Sequence, residues 1–250
     1  MTLWNTLLCF IGGLLVGSFL SMLLPRLHFG EKGIFAGRSH CANCKKTLRA
    51  RDLIPLLSYL WLRGKCHACK DRISFWYPVT ELVSALLFAA LYLQVQNWEL
   101  FAWLAPHFFV LLFIFFYDLR YQEIHDLILL PAIAYAFFAN IWIGDVQSGL
   151  LGAAVGTTFF ALQYLLSRGK WIGSGDLRIG AFMGFLLAWP MTLLAIMMSY
   201  IIGSIVSVYL LATKAATGKT AIPLGPFLVL GTVLAFFFGD PILDLYLSLL

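Results

Sequence analysis

Long apolar runs recur along nearly the whole sequence and are separated by short polar turns. Hydrophobic residues make up 61% of the chain and charged residues only 12%. Such a chain cannot fold as a soluble globule around one core, because runs near twenty residues long match the apolar thickness of a bilayer. We expect an all-α polytopic membrane protein with about eight transmembrane helices. The predicted spans are Leu3–Leu24, Val79–Leu93, Leu100–Tyr117, Leu127–Ile143, Leu150–Leu166, Ile179–Ala188, Met191–Leu211 and Ile222–Phe238.

One segment interrupts the apolar pattern. Residues 26–77 hold eleven of the seventeen Lys and Arg residues and only three acidic residues. The sequence therefore predicts three parts: a first transmembrane helix in residues 1–25, a small cytoplasmic module in residues 26–77, and a seven-helix transmembrane core in residues 78–250. No small-residue cleavage site follows the first run, so we expect a permanent helix and not a removed signal peptide.

The charge distribution predicts the orientation of the chain. A net charge of +5 and a pI near 9.0 could indicate nucleic acid binding, but in a membrane protein they more often record cytoplasmic Lys and Arg. If the module is cytoplasmic, all seventeen basic residues lie on that side, and we expect no nucleic acid partner. All charged residues in the turns on the opposite side are acidic, namely Glu99, Asp145, Asp240 and Asp244.

The module contains two Cys-x-x-Cys pairs with twenty-one residues between them. Four thiolates at this spacing can close a tetrahedral zinc site, and cytosolic cysteines hold metal more often than they form disulfides. We expect a structural zinc ion, because four cysteines leave no coordination position for a substrate. A redox pair or free thiols are the alternatives, and His40 and His67 are possible substitute ligands. The predicted ligands are Cys41, Cys44, Cys66 and Cys69.

Two aspartates stand where a long apolar run meets a polar turn. Asp118 ends the third predicted helix and Asp176 begins the sixth, so both are expected at the cytoplasmic boundary. Two carboxylates brought close cannot both ionise readily; one can activate water while its protonated partner polarises a peptide carbonyl. This is aspartyl-protease chemistry. Gly173 and Gly175 permit backbone conformations and close approaches that a side chain would prevent.

From the residues alone, two interpretations of these aspartates stay open. An aspartate that begins a helix is usually a cap, whereas an ionisable group at membrane depth is usually functional. Glu81, Glu123 and Asp126 also carry carboxylates near the same face. Composition does not choose the pair.

Six motifs in the same order resemble those of the type IV prepilin peptidases, bifunctional leader peptidases and N-methyltransferases of the aspartic intramembrane class. The resemblance covers nearly the whole chain. It rests on Gly17–Leu20 with Pro25–Leu27, Ile54–Tyr59, Leu62–Lys65, Ile73-Ser74 with Tyr77-Pro78 and Glu81-Leu82, Gly173–Asp176, and Ile222–Leu228.

The resemblance implies that Asp118 and Asp176 form the catalytic pair. Two positions depart from the pattern of the family. His125 stands where a proline usually precedes the acidic residue, here Asp126, and this bears on how Asp126 is held. Leu177-Arg178 stands where Val-Lys usually follows the second aspartate, which keeps a cation at that position.

The resemblance also implies the substrate, the cofactor and the location. The substrate would be a prepilin or pseudopilin with a short basic leader in the cytosol and an apolar helix in a bacterial inner membrane, cut at the boundary after a glycine. The enzyme would then methylate the new N-terminal residue with S-adenosylmethionine as the methyl donor. Glu81 is a candidate to receive the new ammonium group, although the simpler expectation is that Glu81 caps the second helix.

Two other functions stay open at this point. Tyr117-Asp118 and Gly173–Asp176 are also similar to motifs of presenilin and signal peptide peptidase, but those enzymes lack the four-cysteine module. A non-enzymatic membrane scaffold that binds a cytosolic partner through its zinc module is the alternative from another class. The sequence does not predict the oligomeric state.

Overall fold

The computed structural model describes residues 2–30, 37–41, 43–215, 217 and 220–249. Lys32 and Lys219, two of the basic residues counted above, lie outside these ranges. The described residues form helices and no sheet, with two isolated β-bridges in the module, so the all-α prediction is confirmed. The helices are α1 Thr2–His28, α2 Leu57–Trp61, α3 Trp76–Val95, α4 Trp98–Tyr121, α5 Asp126–Ile143, α6 Val146–Ser167, α7 Ser174–Leu187, α8 Met191–Ala212 and α9 Gly225–Ser248.

Seven of the described helices, α1, α3 to α6, α8 and α9, are long and apolar enough to cross a membrane. The protein is therefore a multi-pass membrane protein. The remaining long helix, α7, has 14 residues and begins at the polar Ser174. It begins five residues before the predicted start at Ile179, because its first three residues are polar or glycine.

Contacts at both ends of α7 show that it runs beside α5 in the same direction. Near its start, Arg178 forms an ion pair with Asp126, the first residue of α5. Near its end, the Phe185 carbonyl accepts a hydrogen bond of 2.8 Å from the side chain of Asn140, close to the end of α5. Helix α7 thus follows almost the whole length of α5, and it is the eighth long helix that the sequence predicts.

Several helix boundaries differ from the predicted spans. Helix α1 continues through Pro25 to His28 and does not end at Leu24. Helix α9 begins at Gly225 with Pro226 in its first turn, a position where the fixed φ of proline suits a helix start. It continues through Pro241 to Ser248, ten residues beyond the predicted end at Phe238. The prediction stopped early because Asp240 and Asp244 lower the hydropathy of this last part.

The chain forms two compact units, residues 1–109 and 110–250. In the first unit, α1 packs against α3 through Gly13 and Gly17, which lie one turn apart on one face of α1. A Cβ atom at Gly13 would lie 2.6 Å from the Ala85 Cα atom, and one at Gly17 would lie 2.5 Å from the Glu81 Cα atom. The backbones of α1 and α3 can approach this closely only because both positions are glycine.

In the second unit, α6 and α7 run antiparallel and meet through two glycines on each helix. A Cβ atom at Gly156 would lie 2.3 Å from the Gly180 carbonyl oxygen, and one at Gly152 would lie 2.5 Å from the Gly184 carbonyl oxygen. Because the four-residue spacing recurs on both helices, their backbones are in contact over more than one turn. This packing fixes the start of α7, where Asp176 lies.

Candidate active site and metal centre

Asp118 lies in the last turn of α4 and is buried, with 6% of its surface exposed. Its Oδ2 atom accepts a hydrogen bond of 2.9 Å from the backbone N–H of Gly225, the first residue of α9. The N-terminus of a helix carries partial positive charge and free N–H groups, so it stabilises a carboxylate placed there. The start of α9 therefore positions Asp118.

Asp176 lies in the first turn of α7 and is also buried, with 7% of its surface exposed. Its Oδ2 atom accepts a hydrogen bond of 2.9 Å from the backbone N–H of Gly173, the residue before the helix. The helix-cap interpretation is therefore right for this oxygen. The cap holds the side chain in one orientation and leaves Oδ1 outside this hydrogen bond.

The structure brings the two predicted aspartates together. Asp118 and Asp176 are close enough for their charges to interact. A Cβ atom on Gly175 would lie 2.5 Å from Ile124 Cδ1, so the loop that follows Asp118 packs directly on the turn that carries Asp176. Among the described residues, the Gly225 and Gly173 N–H groups are the hydrogen-bond donors to these two carboxylates. One oxygen of each carboxylate is fixed by the fold and the other accepts no hydrogen bond from the described residues.

The two glycines beside Asp176 differ in what the structure requires of them. Gly175 needs to be glycine because Ile124 occupies the space of a side chain. Gly173 has φ of −81° and ψ of 158°, which any residue adopts, and its nearest neighbour to an added Cβ is the Asp176 Oδ2 atom at 3.7 Å. The close approach predicted for this motif is present at Gly175.

Both departures from the family pattern have a structural counterpart. The His125 ring lies edge-on to the Tyr117 ring, with centroids 5.9 Å apart, and so packs beside the residue that precedes Asp118. Arg178 forms an ion pair with Asp126. This pair joins the helix that follows Asp118 to the helix that contains Asp176.

Gly225 is a site residue whose role the sequence analysis did not assign. A Cβ atom at this position would lie 2.5 Å from Asp118 Oδ2 and 3.1 Å from its Cγ atom, so the contact requires glycine. The signal was present in Ile222–Leu228, where a glycine directly before a proline begins a helix. Its partner lies 107 positions away in sequence, and no local pattern predicts that pairing.

A second polar group near Asp176 was also not predicted. The Tyr200 hydroxyl on α8 donates a hydrogen bond of 2.9 Å to Oε1 of Gln163 on α6. The Tyr200 hydroxyl is close enough to Asp176 for the aspartate charge to act on it. Uncharged polar side chains within long apolar helices give only a weak signal in the sequence.

The four module cysteines converge on one point, and their sulfur atoms all lie within 4.8 Å of one another. The two pairs have matching local structure. Lys45 and Lys70, which follow the pairs, both have positive φ, and each donates its N–H to the carbonyl of the first cysteine of its pair. A β-bridge closes each loop, His40 with Thr47 and Lys65 with Arg72.

This cluster can hold a zinc ion. A tetrahedral Zn–S distance of about 2.3 Å places the sulfur atoms about 3.8 Å apart. The Sγ atoms of Cys41 and Cys69 are 3.8 Å apart. The backbone N–H groups of Cys69 and Ala68 lower the pKa of the Cys66 thiol to about 7, which favours its thiolate. The Asp71 backbone also lowers the pKa of the Cys69 thiol, but burial and the three neighbouring thiols raise it to about 11. His40 and His67 contact Arg38 and Arg49 instead.

Glu81 lies in the second turn of α3 and is buried, with 7% of its surface exposed. Its Oε2 atom accepts a hydrogen bond of 2.8 Å from the backbone N–H of Leu56, the residue before α2, and its backbone packs against Gly17 of α1. The simpler expectation, that Glu81 caps its own helix, is therefore wrong. Glu81 joins the module to α1 and α3.

These features define a class: a multi-pass helical membrane protein with a buried aspartate pair and a four-cysteine cluster that can hold a metal ion. Two family models match the chain. A family model described as the bacterial peptidase A24 N-terminal domain matches residues 11–95. A second, described as the type IV leader peptidase family, matches residues 105–208, a range that contains Asp118 and Asp176.

Curated relatives match over nearly their full length. The chain is 36% identical to the prepilin leader peptidase/N-methyltransferase of Bacillus subtilis, covering 96% of this chain and 97% of the relative. It is 31% identical to the protein of that name from Pseudomonas putida, covering 97% and 96%. The chain belongs to the type IV leader peptidase family. No solved structure matches it.

Proposed function

We propose that this protein is a membrane aspartic endopeptidase that removes the short basic leader of type IV prepilins or pseudopilins, and that it then methylates the new N-terminus. Family membership and the names of the relatives support both activities. The substrate class comes from those names. The peptidase chemistry comes from Asp118 and Asp176.

The observation that carries the proposal is the arrangement of these two carboxylates. Both are buried, the turn that carries Asp176 packs on Ile124 in the loop after Asp118, and each aspartate uses Oδ2 for a backbone hydrogen bond from a helix start. An oxygen of each remains for water and substrate. Two structural caps would not need to be placed beside one another, whereas an aspartic peptidase requires it.

The reaction would follow from one ionised and one protonated aspartate. The ionised carboxylate takes a proton from water as the water oxygen attacks the scissile carbonyl carbon. The protonated carboxyl donates its proton to the carbonyl oxygen, which gives a neutral tetrahedral diol. When the C–N bond breaks, the carboxyl that received the water proton transfers it to the leaving amine. The diol proton returns to the other carboxylate, which restores the starting state.

We place the reaction at the cytosolic boundary of a bacterial inner membrane. The positive-inside rule supports this side for the basic turns that flank both aspartates, around Arg120 and Arg168. A prepilin leader is basic and its following segment is apolar. The scissile bond of such a substrate lies at the boundary where these aspartates are expected.

Methylation is proposed from family membership, with S-adenosylmethionine as the methyl donor. Glu81, the candidate to receive the new ammonium group, already accepts a hydrogen bond from the backbone N–H of Leu56. Its position therefore fits a group that holds the module better than one that binds substrate or cofactor. We assign no described residue to S-adenosylmethionine and derive no step through it.

The test is cleavage of a purified prepilin with a Gly-Phe junction by the reconstituted protein, followed by mass spectrometry that reports the cleavage position and the added methyl group. Asp118→Asn and Asp176→Asn should each lower the cleavage rate by about a thousandfold or more. Asp145→Asn, the same change at an exposed turn between α5 and α6, should cleave normally. Wild-type rates in either dyad variant would refute the assignment. A wild type that never cleaves would favour the scaffold.

A further inference from the structure

Five large apolar side chains within nine consecutive residues of the cysteine module are exposed, and we call this group the apolar ridge. Their exposed fractions run from 38% to 69%. The ridge consists of Leu53, Ile54, Leu57, Leu60 and Trp61. A small soluble module rarely leaves so many adjacent apolar side chains in water, so the ridge indicates a binding surface.

The local structure holds the ridge in one orientation. Leu57, Leu60 and Trp61 have the i, i+3, i+4 spacing that places them on one face of α2. Tyr59 points elsewhere and packs against the backbone of Gly64, where an added Cβ atom would lie 3.0 Å from the Tyr59 hydroxyl. The outward face of α2 is therefore the apolar one.

The hydrogen bond between Leu56 and Glu81 fixes the depth of the ridge. Leu56 has φ of 59° and ψ of −49°, and the N–H of Leu57 bonds the Pro55 carbonyl at 2.6 Å, so α2 begins at a γ-turn. The Leu56 N–H points at Glu81, which lies five residues after the first residue of α3, Trp76. At 1.5 Å per residue this is about 7.5 Å along a helix that crosses the membrane. The start of α2 is therefore level with the first turns of α3.

Aromatic and basic residues mark the same level. Trp76 and Tyr77 at the start of α3 are exposed, and such side chains are typical of the membrane–water interface. Arg51 and Arg63 are exposed at the two ends of the ridge. The whole module is strongly basic, with eleven Lys and Arg residues against three acidic ones. An apolar face bordered by basic residues is typical of segments that lie in an anionic bilayer surface.

We propose that the apolar ridge binds the anionic surface of the bilayer on the side of the module, with its leucine and tryptophan side chains at the boundary between headgroups and acyl chains. The module is then a peripheral membrane element as well as a loop between α1 and α3. This proposal is independent of the peptidase activity.

The test uses the full-length, zinc-loaded protein in detergent and in nanodiscs that contain phosphatidylglycerol. Hydrogen exchange of residues 53–62 and trypsin cleavage after Arg51 and Arg63 are measured. Both should slow in the nanodiscs. The triple variant Leu57→Gln, Leu60→Gln, Trp61→Gln should lose this protection by about tenfold or more, since each buried side chain contributes about that factor.

Two controls separate lipid contact from misfolding. The triple variant should keep one zinc per chain, which shows that the cysteine cluster is intact. Leu3→Gln changes an equally apolar side chain, 84% exposed at the far end of α1, and should leave the exchange of residues 53–62 unchanged.

A third variant, Trp61→Phe, keeps the ridge apolar and removes the fluorescence of Trp61. Lipids brominated near the headgroup should quench the wild type more than they quench this variant.

Three results would overturn the proposal. Equal protection of the wild type and the triple variant in nanodiscs would show that lipid does not cover the ridge. Protection that appears only when a prepilin is added would identify the substrate as the occupant. Protection that is lost on dilution would identify a second copy of the chain.

Discussion

The backbone N–H of Gly225 donates a hydrogen bond of 2.9 Å to the Oδ2 atom of Asp118, and so joins the end of α4 to the start of α9. The contact is buried and leaves no room for a side chain on Gly225. The final helix is therefore part of the candidate active site. The family model that covers the two aspartates ends at residue 208, before this glycine.

Gly225→Ala is expected to lower the cleavage rate by about a hundredfold, because the added Cβ atom would displace Asp118 and a shift of about 1 Å is sufficient for such a loss. The measurement is the initial rate of prepilin cleavage at saturating substrate. Gly12→Ala provides the matched control, since a Cβ atom there has no neighbour within 4 Å. If Gly225→Ala cleaves as fast as Gly12→Ala, the glycine does not position Asp118.

The glycines on either side of Ser174 are expected to respond differently to alanine. Gly175→Ala should impair cleavage strongly because its Cβ atom overlaps Ile124, including the Ile124 Cβ atom at 2.8 Å, which cannot rotate away. Gly173→Ala should be tolerated, since its backbone is extended and its nearest contact is ordinary. The double variant Gly175→Ala, Ile124→Ala should recover part of the lost rate. Equal loss in both single variants would mean that Gly173 has a role in binding substrate.

Arg178 and Asp126 are expected to act as a unit. Each is partly exposed, so the ion pair should contribute no more than about 1 kcal/mol to stability. Its larger effect should be on cleavage, because it joins the helices that follow and contain the two aspartates. Arg178→Gln and Asp126→Asn should each slow cleavage, and the double variant should be no slower than the slower single variant. Additive losses would show that the residues act separately. Arg168→Gln, in the exposed turn after α6, should cleave normally.

Removal of the metal should unfold the zinc module. Cys44→Ser or chelation is expected to eliminate bound zinc and to expose residues 37–75 to trypsin, because the folding of such modules depends on the metal. Zinc content by metal analysis and digestion patterns are the two measurements. Cys9→Ala changes the buried cysteine of α1 and should retain one zinc per chain. Protease resistance without zinc would argue against a structural site.

Glu81→Leu should loosen the connection between the module and α3. The Leu56 N–H would lose its acceptor, at a local cost of about 1–3 kcal/mol. Hydrogen exchange of residues 55–60 should accelerate, whereas Glu81→Gln, which retains an acceptor oxygen, should remain close to wild type. Unchanged exchange in Glu81→Leu would mean that the turn at Leu56 is held by other contacts.

The sequence predicts most of the architecture because membrane helices and metal ligands leave local signals. Apolar runs predict the long helices, and the spacing of the cysteines predicts a cluster whose sulfur atoms indeed converge. Asp118 and Asp176 were found from their positions at run boundaries and from motifs. These signals depend on residues close together in the chain.

Three features could not be predicted because they depend on tertiary contacts. The pairing of Gly225 with Asp118 and that of Leu56 with Glu81 connect distant segments through a backbone N–H, which has no sequence signature. The hydrogen bond between Tyr200 and Gln163 joins two apolar helices at one polar position on each. Arg178 was recognised as a retained cation, and only the fold shows that its partner is Asp126.

The glycine contact between α6 and α7 has a further consequence for how the site can move. Because Gly152 and Gly156 rest on the α7 backbone at Gly184 and Gly180, neither helix can slide or rotate along the other without steric overlap. A displacement of α7 that moves Asp176 must therefore displace α6 as well, so that the two helices move as one rigid unit.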